Sequence, residues 1–238
     1  MPSASCAHAP RKCSPSHVPL IDLHTHTYPL SHDSALSPDE LVVAAKRAGL
    51  DGVCLTEHDF FWDAGKAAEL GRRHDFLVIP GIEVNTEFGH IVVFGLTQFV
   101  YGMHRLADLT RMVAEAGGSM VAAHPYRRQL PFELRDDGDW SAAVARTVGA
   151  NEAYRHVQAI ETLNGRGSER QNAFSAMVCA NFGLPQAAGS DAHQHSDVGA
   201  CATEFEAGID DLDSLIAALN SGEFRPLLLQ PPKLKADT

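Results

Sequence analysis

The sequence predicts a single α/β domain in which a closed barrel of parallel strands is covered by helices. The chain has 238 residues, of which 45% are hydrophobic and 21% are charged, and an α/β barrel of this size is ordinary. Strand-like and helix-like stretches alternate along it, which is typical of a parallel sheet with helices on its outside. Roughly seven such units in one domain favour a closed barrel over an open sheet.

The individual elements follow from apolar periodicity and from signals at their ends. Ser37 is a good N-cap for the first helix, Pro38 suits its first turn, Glu40 completes a capping box and Gly49 ends it. In chain order the pattern predicts strand 19–23, a helix from 38, strand 52–56, helix 64–73, strand 76–79, strand 91–95, helix 106–116, strand 119–123, a helix between 140 and 154, strand 157–162, helix 169–181, strand 186–189 and helix 212–219.

Two tails flank the predicted domain, which covers residues 18–230. Residues 1–17 are rich in Ser, Pro, Ala and His and are predicted to be a disordered N-terminal tail, and residues 231–238 are predicted to be a second loose end. The first tail carries four residues of metal-binding type, although their spacing fits no zinc-finger pattern: Cys6, His8, Cys13 and His17.

Composition argues against several classes of protein. Nineteen basic and thirty acidic side chains give a formal charge of −11, the opposite of what a protein built to hold a nucleic acid backbone shows. Five cysteines without a CxxC motif give no disulfide framework, which favours a reducing cytoplasm, and Cys54 and Cys179 are expected to pack in the core. No apolar run is long enough for a membrane span of about 18 residues, and no signal peptide is evident.

Several apolar runs end in side chains that bind metals. His24 and His26 stand one residue apart at the end of an apolar run, and in an extended strand positions i and i+2 point to the same side, so both imidazoles can reach one ion. The candidate ligands are His24, His26, Asp33, His58, Glu83, His90, His124, Asp191 and His193. Imidazole and carboxylate together favour zinc, manganese or iron over magnesium. Because nine ligands are too many for one ion, two or three ions sharing carboxylate bridges are expected, with Glu83 and Asp191 as the bridges.

Each candidate also has an ordinary structural interpretation, since a single histidine at a strand end is more often a satisfied polar residue than a ligand. His32 adjoins Asp33 and competes with it as the ligand. Asp22 and Glu57 stand beside candidate ligands. They are expected to orient those ligands or to cap backbone groups rather than to bind a metal ion themselves. Histidines without a comparable context are assigned to the surface or to supporting contacts, and these are His74, His104, His156 and His195.

The motifs, in order and context, resemble the PHP (polymerase and histidinol phosphatase) superfamily. The resemblance runs from about residue 20 to residue 205, and its matching pieces are 22–27, 33–38, 56–59, 81–84, 89–91, 123–125, 160–164 and 189–193. Two positions depart from the family pattern. Ser34 stands where the family often has glycine, and Glu57 stands where aspartate is commoner.

The resemblance implies a distorted, TIM-like (β/α)7 barrel with a site for two or three metal ions. It assigns His24, His26, Glu83 and Asp191 to one ion. It assigns Asp33, His58 and His193 to a second ion, and Glu83, His90 and His124 to a third. It further implies a stand-alone, metal-dependent phosphoesterase, and the cysteine content adds the expectation of a cytoplasmic location.

The expected reaction is hydrolysis of a small phosphorylated substrate, a phosphomonoester such as a nucleotide or a sugar or amino-alcohol phosphate. A water between two ions would lose a proton near neutral pH and attack phosphorus in line. Arg127 and Arg128 are expected to reach the phosphate, and they are not separable by sequence. Asp191 and His193 are predicted as catalytic residues, and the leaving-group acid is either His193 or a metal-held water.

Three other functions compete with this prediction. A 3′-end nuclease or phosphodiesterase would act on a short oligonucleotide, although the acidic charge argues against nucleic acid as a partner. A non-catalytic metal-binding module would keep the ligands without the chemistry. An amidohydrolase also begins with His-x-His, but no metal-bridging lysine is evident.

Overall fold

The computed structural model describes residues 18–130 and 140–230. The predictions for both tails, including the four possible zinc ligands of the first, lie outside the described residues. In chain order the elements are β1 (Leu20–Thr25), α1 (Pro38–Arg47), β2 (Gly52–Leu55), α2 (Ala64–His74), β3 (Leu77–Pro80), β4 (Ile82–Thr86), β5 (Gly89–Phe94), α3 (Leu106–Glu115), β6 (Ser119–Ala122), α4 (Tyr126–Gln129), α5 (Ser141–Ala150), a 3-10 helix (Glu152–Arg155), β7 (Ala159–Asn164), α6 (Glu169–Phe182), β8 (Gln186–Gly189), β9 (Cys201–Phe205), α7 (Leu212–Ser221) and β10 (Phe224–Leu228).

The strands form two mixed five-stranded sheets. One has the order β10–β9–β1–β2–β3 and the other has the order β4–β5–β6–β7–β8. The pairs β1–β2, β2–β3, β6–β7 and β7–β8 are parallel, as the alternation of strands and helices predicts. The pairs β1–β9, β9–β10, β4–β5 and β5–β6 are antiparallel.

The predicted barrel is confirmed only in its coarser form, an α/β fold, because the described residues show no closed barrel. The two sheets meet at isolated bridges, between Thr25 and Ala192 and between His58 and Glu83. A continuous barrel of βα units needs parallel neighbours throughout. The turn from Thr86 to Gly89 makes β4 and β5 a tight hairpin, and a connection so short can join only antiparallel strands.

Local signals at the helix ends are confirmed. The Ser37 side chain accepts from the Glu40 backbone N–H and the Glu40 side chain accepts from the Ser37 N–H, so the predicted capping box is present. Ser168 and Gln171 form a second capping box at the start of α6. These contacts satisfy backbone donors that the first turn of a helix leaves without partners.

Three apolar clusters hold the layers together. One draws on both sheets and includes Ile21, Phe94 and Phe205. A second packs α1 and α2 against the first sheet, and a third packs α3, α5 and α6 against the second sheet. Cys54 and Cys179 are fully buried free thiols within these clusters, as predicted. In the described part of the chain, each helix is too short or too polar to cross a lipid bilayer.

Candidate metal centre

Most of the predicted ligands lie where strands end. His26 follows β1, His58 follows β2, His124 follows β6 and Asp191 follows β8. The carboxyl ends of parallel strands share one edge of a sheet, so these side chains meet there. The first donor group is His24 Nε2, His26 Nε2, Glu83 Oε2 and Asp191 Oδ1.

Glu83 and His90 reach the same edge by a different route, since each is the second residue of its strand. The Glu83 N–H donates to the Glu57 carbonyl at 3.0 Å, which sets the start of β4 beside the chain that leaves β2. The Ala123 N–H donates to the His90 carbonyl at 3.0 Å, which sets the start of β5 beside the end of β6. The antiparallel hairpin that interrupts the barrel therefore still delivers its two ligands to the site.

The first donor group has the spacing of ligands around one ion. His24 Nε2 lies 3.4 Å from Glu83 Oε2 and 3.8 Å from Asp191 Oδ1. His26 Nε2 lies 3.4 Å from each of the same two oxygens. Bonds of about 2.1 Å to a tetrahedral ion separate its ligands by about 3.4 Å.

The same four atoms are buried and make no hydrogen bond to any residue in the ranges 18–130 and 140–230. Leaving a buried polar atom without a partner is costly, and here four such atoms converge. Two imidazole nitrogens and two carboxylate oxygens are ligands that zinc, manganese and iron accept. The residues present therefore fit a divalent metal ion.

The second donor group, Asp33, His58 and His193, lies nearer the surface. Asp33 Oδ2 is 3.4 Å from His58 Nε2 and 3.1 Å from His193 Nε2. The Asp33 side chain is 58% exposed and that of His58 is 33% exposed. Nitrogens of His26, His58 and His193 also lie within 4.8 Å of one another, which joins this group to the first.

The third donor group, Glu83, His90 and His124, shares its carboxylate with the first. His90 Nδ1 is 2.7 Å and His124 Nε2 is 3.0 Å from Glu83 Oε1. The other oxygen, Oε2, faces His24 and His26, and it lies 2.8 Å from His58 Nδ1. Glu83 is therefore the bridge between groups, as its two oxygens permit.

The charges of the cluster suit metal binding. Burial opposes ionisation of Glu83 and Asp191, but the charge on His24 outweighs it, with further hydrogen bonds from the cluster, and the pKa of each carboxyl lies well below its ordinary value. Burial lowers the pKa of His26 to about 3, and it also lowers the pKa of His124. Ionised carboxylates and neutral imidazoles are the forms that bind metals.

Outer hydrogen bonds orient the two histidines of the first donor group. His24 Nδ1 lies 3.1 Å from Glu161 Oε1, and His26 Nδ1 lies 3.2 Å from Ser31 Oγ, which itself donates to Glu57 Oε2 at 2.6 Å. Because the carboxylates only accept, each Nδ1 carries a proton and each Nε2 faces the centre. Glu57 thus has the supporting role that the sequence predicts for it. Burial lowers the pKa of His24, but the charges of Glu83, Glu161 and Asp191 outweigh it and raise that pKa, so His24 Nε2 must release its proton when a metal binds.

Sequence reasoning assigned no role to two residues that contact the site. Glu161 also accepts from the His124 N–H at 2.9 Å, and the Arg166 guanidinium lies 2.9 Å from His193 Nδ1. A glutamate inside an apolar strand, only 3% exposed, is a signal that could have identified Glu161. Arg166 follows β7 in a Gly-rich turn and gives no comparable signal.

The structure separates the two arginines. Arg127 forms an ion pair with Asp191 Oδ2, the oxygen that faces away from the first donor group. Arg128 instead lies 2.9 Å from Asn85 Oδ1, 3.4 Å from the Thr86 carbonyl and 3.2 Å from His90 Nε2.

Unusual backbone conformations occur beside the ligands. His124 has φ of 27° and Asp191 has φ of 53°, in the left-handed region that few residues other than glycine adopt. Such strain is retained where surrounding structure holds it, commonly at functional sites. Gly189 has a related role, because a Cβ there would lie 2.4 Å from the His24 Cβ and 2.7 Å from Glu161 Oε1.

The remaining candidates lie outside the donor groups. His32 is exposed, whereas Asp33 contacts two ligand histidines. Asp22 is fully buried, accepts from the N–H groups of His24 and Ser190, and has a pKa raised to about 7 because burial disfavours its charged form. Surface partners occupy three of the other histidines: His74 contacts Asp39, His104 contacts Asp59 and His195 contacts Glu40.

Comparisons with known proteins place the whole arrangement in a family. Residues 22–157 match the PHP domain and residues 169–224 match the PHP-associated family. A two-domain protein from Bacteroides vulgatus, described as containing a predicted PHP-like metal-dependent phosphoesterase, has the same fold. Its TM-score is 0.64 at 20% identity, and the match covers 95% of this chain and 70% of that chain.

Two further proteins are similar. PsfC from Pseudomonas syringae has a TM-score of 0.60 at 21% identity, over 89% of this chain and 91% of that chain. An error-prone DNA polymerase from Nocardia farcinica is 35% identical over 68 residues, which is 29% of this chain and 6% of the polymerase. The chain thus matches only a small part of that curated relative. Because the PHP domain matches more than half of the sequence, the chain belongs to the PHP domain family.

Proposed function

We propose that the chain is a metal-dependent phosphoesterase that hydrolyses a small phosphorylated substrate, a phosphomonoester such as a nucleotide or a sugar or amino-alcohol phosphate. Two or three divalent ions of zinc, manganese or iron are its cofactors. The observation that carries the proposal is the convergence of four buried donor atoms, one of them from Glu83, that make no hydrogen bond within the described part of the chain. The Glu83 carboxylate also faces the other two donor groups.

Bound in these groups, divalent ions supply positive charge to phosphoryl oxygens and acidify water near neutral pH. The chain's own residues orient them. Arg127, paired with Asp191 Oδ2, holds that carboxylate with Oδ1 toward His24 and His26. His193 has Asp33 Oδ2 at Nε2 and the Asp191 carbonyl at Nδ1, which favours a ligand role over that of leaving-group acid.

Arg128 is the arginine that we assign to the substrate. It is exposed, and within the described ranges it has no carboxylate at ion-pair distance, since its partners are an amide oxygen, a carbonyl oxygen and an imidazole nitrogen. A guanidinium without a counter-ion beside a metal cluster suits an anionic ligand.

The test is hydrolysis of p-nitrophenyl phosphate by protein loaded in turn with zinc, manganese or iron. We expect phosphate release with at least one metal, loss of that release on chelation, and recovery when metal returns. Hydrolysis of a single-stranded oligonucleotide without hydrolysis of phosphomonoesters would favour the nuclease instead, an alternative that the partial match to a DNA polymerase keeps in view. A metal-filled protein inactive on both substrates would favour the non-catalytic module.

A further inference from the structure

A cleft of about 230 Å³ opens beside the third donor group. Its lining includes His90 and His124 together with Phe88, Ala153 and Tyr154. The same two histidines contact Glu83 Oε1. A phosphate held at the donor groups would therefore have the cleft directly beside it.

The walls of the cleft are braced by hydrogen bonds between separate parts of the chain. Asn151 Nδ2 donates to the Phe88 carbonyl at 2.8 Å, which ties the 3-10 helix to the β4–β5 hairpin. The Tyr154 hydroxyl donates to Gln129 Oε1 at 2.5 Å, which ties the same helix to α4. Tyr154 is 3% exposed and Ala153 is 1% exposed, so this wall is packed against the core.

The lining of the cleft combines apolar surface with the positively charged guanidinium of Arg128. Carbon from Phe88, Ala153 and Tyr154 favours a poorly hydrated organic group, and a few polar groups at the edge of such a pocket fix orientation. Arg128 lines the cleft and has no carboxylate partner among residues 18–130 and 140–230. Arg127 also lines it, but Asp191 occupies that guanidinium.

The volume of the cleft limits the size of the chemical group that it can hold. Sites for drug-sized ligands usually exceed about 300 Å³, so this cleft suits a single ring or a group of similar size. A polymer chain would need a larger groove than a cleft of about 230 Å³.

We infer that this cleft is the leaving-group pocket, and that the substrate is a phosphomonoester of a small, partly apolar alcohol carrying a second anionic group that Arg128 binds. The inference rests on the proposed phosphoesterase function and adds the class of alcohol to it. Arg128 and Ala153 are then specificity-determining residues, because they contact the part of the substrate that differs between esters.

The experiment compares three esters: 4-carboxyphenyl phosphate, phenyl phosphate and ethyl phosphate. For Arg128→Gln, the ratio of kcat/KM between the carboxylated and plain phenyl esters is expected to fall about tenfold, the usual effect of losing a charge-assisted hydrogen bond. For Ala153→Leu, the ratio between phenyl and ethyl phosphate is expected to fall about tenfold, because the added carbon atoms occupy the space of the ring. Intrinsic ester reactivity cancels when one ratio is compared between two proteins.

Matched controls are Arg111→Gln, at an exposed arginine paired with Glu115, and Ala145→Leu, at an exposed position of α5. Both are expected to keep the wild-type ratios of kcat/KM.

Metal content and thermal unfolding are measured for every variant. If Ala153→Leu does not fold, the Arg128→Gln variant, at an exposed position, is the test of the inference. If folded, metal-filled variants keep the wild-type kcat/KM ratios, the assignment of the cleft as the leaving-group pocket is wrong. The proposed phosphoesterase function is not affected by that result. Hydrolysis of none of the three esters by the metal-loaded wild type would instead contradict the phosphoesterase itself.

Discussion

Glu83→Gln is expected to lower kcat for phosphate esters about 1,000-fold or more and to release at least one metal ion. Each oxygen of Glu83 faces a different set of histidines, so the amide nitrogen of glutamine must face one set whichever way it turns. An amide also lacks the charge that offsets a divalent ion. Loss of metal chemistry worth several kcal/mol corresponds to this fall in rate. Elemental analysis and steady-state kinetics on the same preparation measure both effects.

Two other glutamates give graded controls for this variant. Glu161→Gln removes a partner of His24 but no proposed ligand, so metal affinity is expected to fall about 10- to 100-fold and excess metal is expected to restore activity. Glu115→Gln, at a 65% exposed side chain, is expected to leave both metal content and kcat at the wild-type level. A Glu83→Gln protein with full metal content and normal kcat would remove Glu83 from the site.

Removal of metal is expected to lower the melting temperature of the protein by about 10 °C. Without metal, four buried donor atoms make no hydrogen bond to the residues that the structure describes. A ligand that binds only the folded state stabilises it by about 4 kcal/mol at 1,000 times its Kd. For a chain of this length each kcal/mol shifts Tm by about 2–4 °C. Thermal unfolding followed by circular dichroism, with chelator and then with saturating metal, measures the difference.

Asp191→Asn is the matched variant for this measurement. It keeps the size of the side chain and removes the charge of Oδ1, so its Tm is expected to respond much less to metal. Identical melting temperatures for the wild type in chelator and in metal would show that the buried donors are satisfied without an ion.

The fold could be predicted where signals are local. The capping box of α1 involves residues three apart, and it is present as predicted. The prediction fails where two short strands lie close together: the pattern predicts strand 76–79 and no strand directly after it, whereas β4 begins at Ile82, two residues after β3 ends at Pro80. The sequence pattern also did not predict β9 and β10, and Pro226 fits within β10 because that strand lies at the edge of its sheet.

The convergence of the candidate ligands was easier to predict than the topology of the sheets that carry them. Ligands at strand ends come together in any arrangement that aligns those ends, so the two mixed sheets gather them as well as a closed barrel would. A buried acidic residue such as Glu57 or Glu161 can be noticed in the sequence, but the partner that it supports cannot be identified there, because these contacts join distant residues. Glu161 meets His24 across 137 positions, and no spacing in the sequence encodes that contact.

The central claim is that donors from distant strands enclose divalent ions at Glu83. Anomalous X-ray diffraction from protein produced with ample zinc, manganese or iron tests it most directly, with data on both sides of the absorption edge of each metal. The account predicts an anomalous peak among His24, His26, Glu83 and Asp191, with at least one more beside Glu83 or Asp33. Absence of any anomalous peak at these side chains in metal-supplied protein would contradict it.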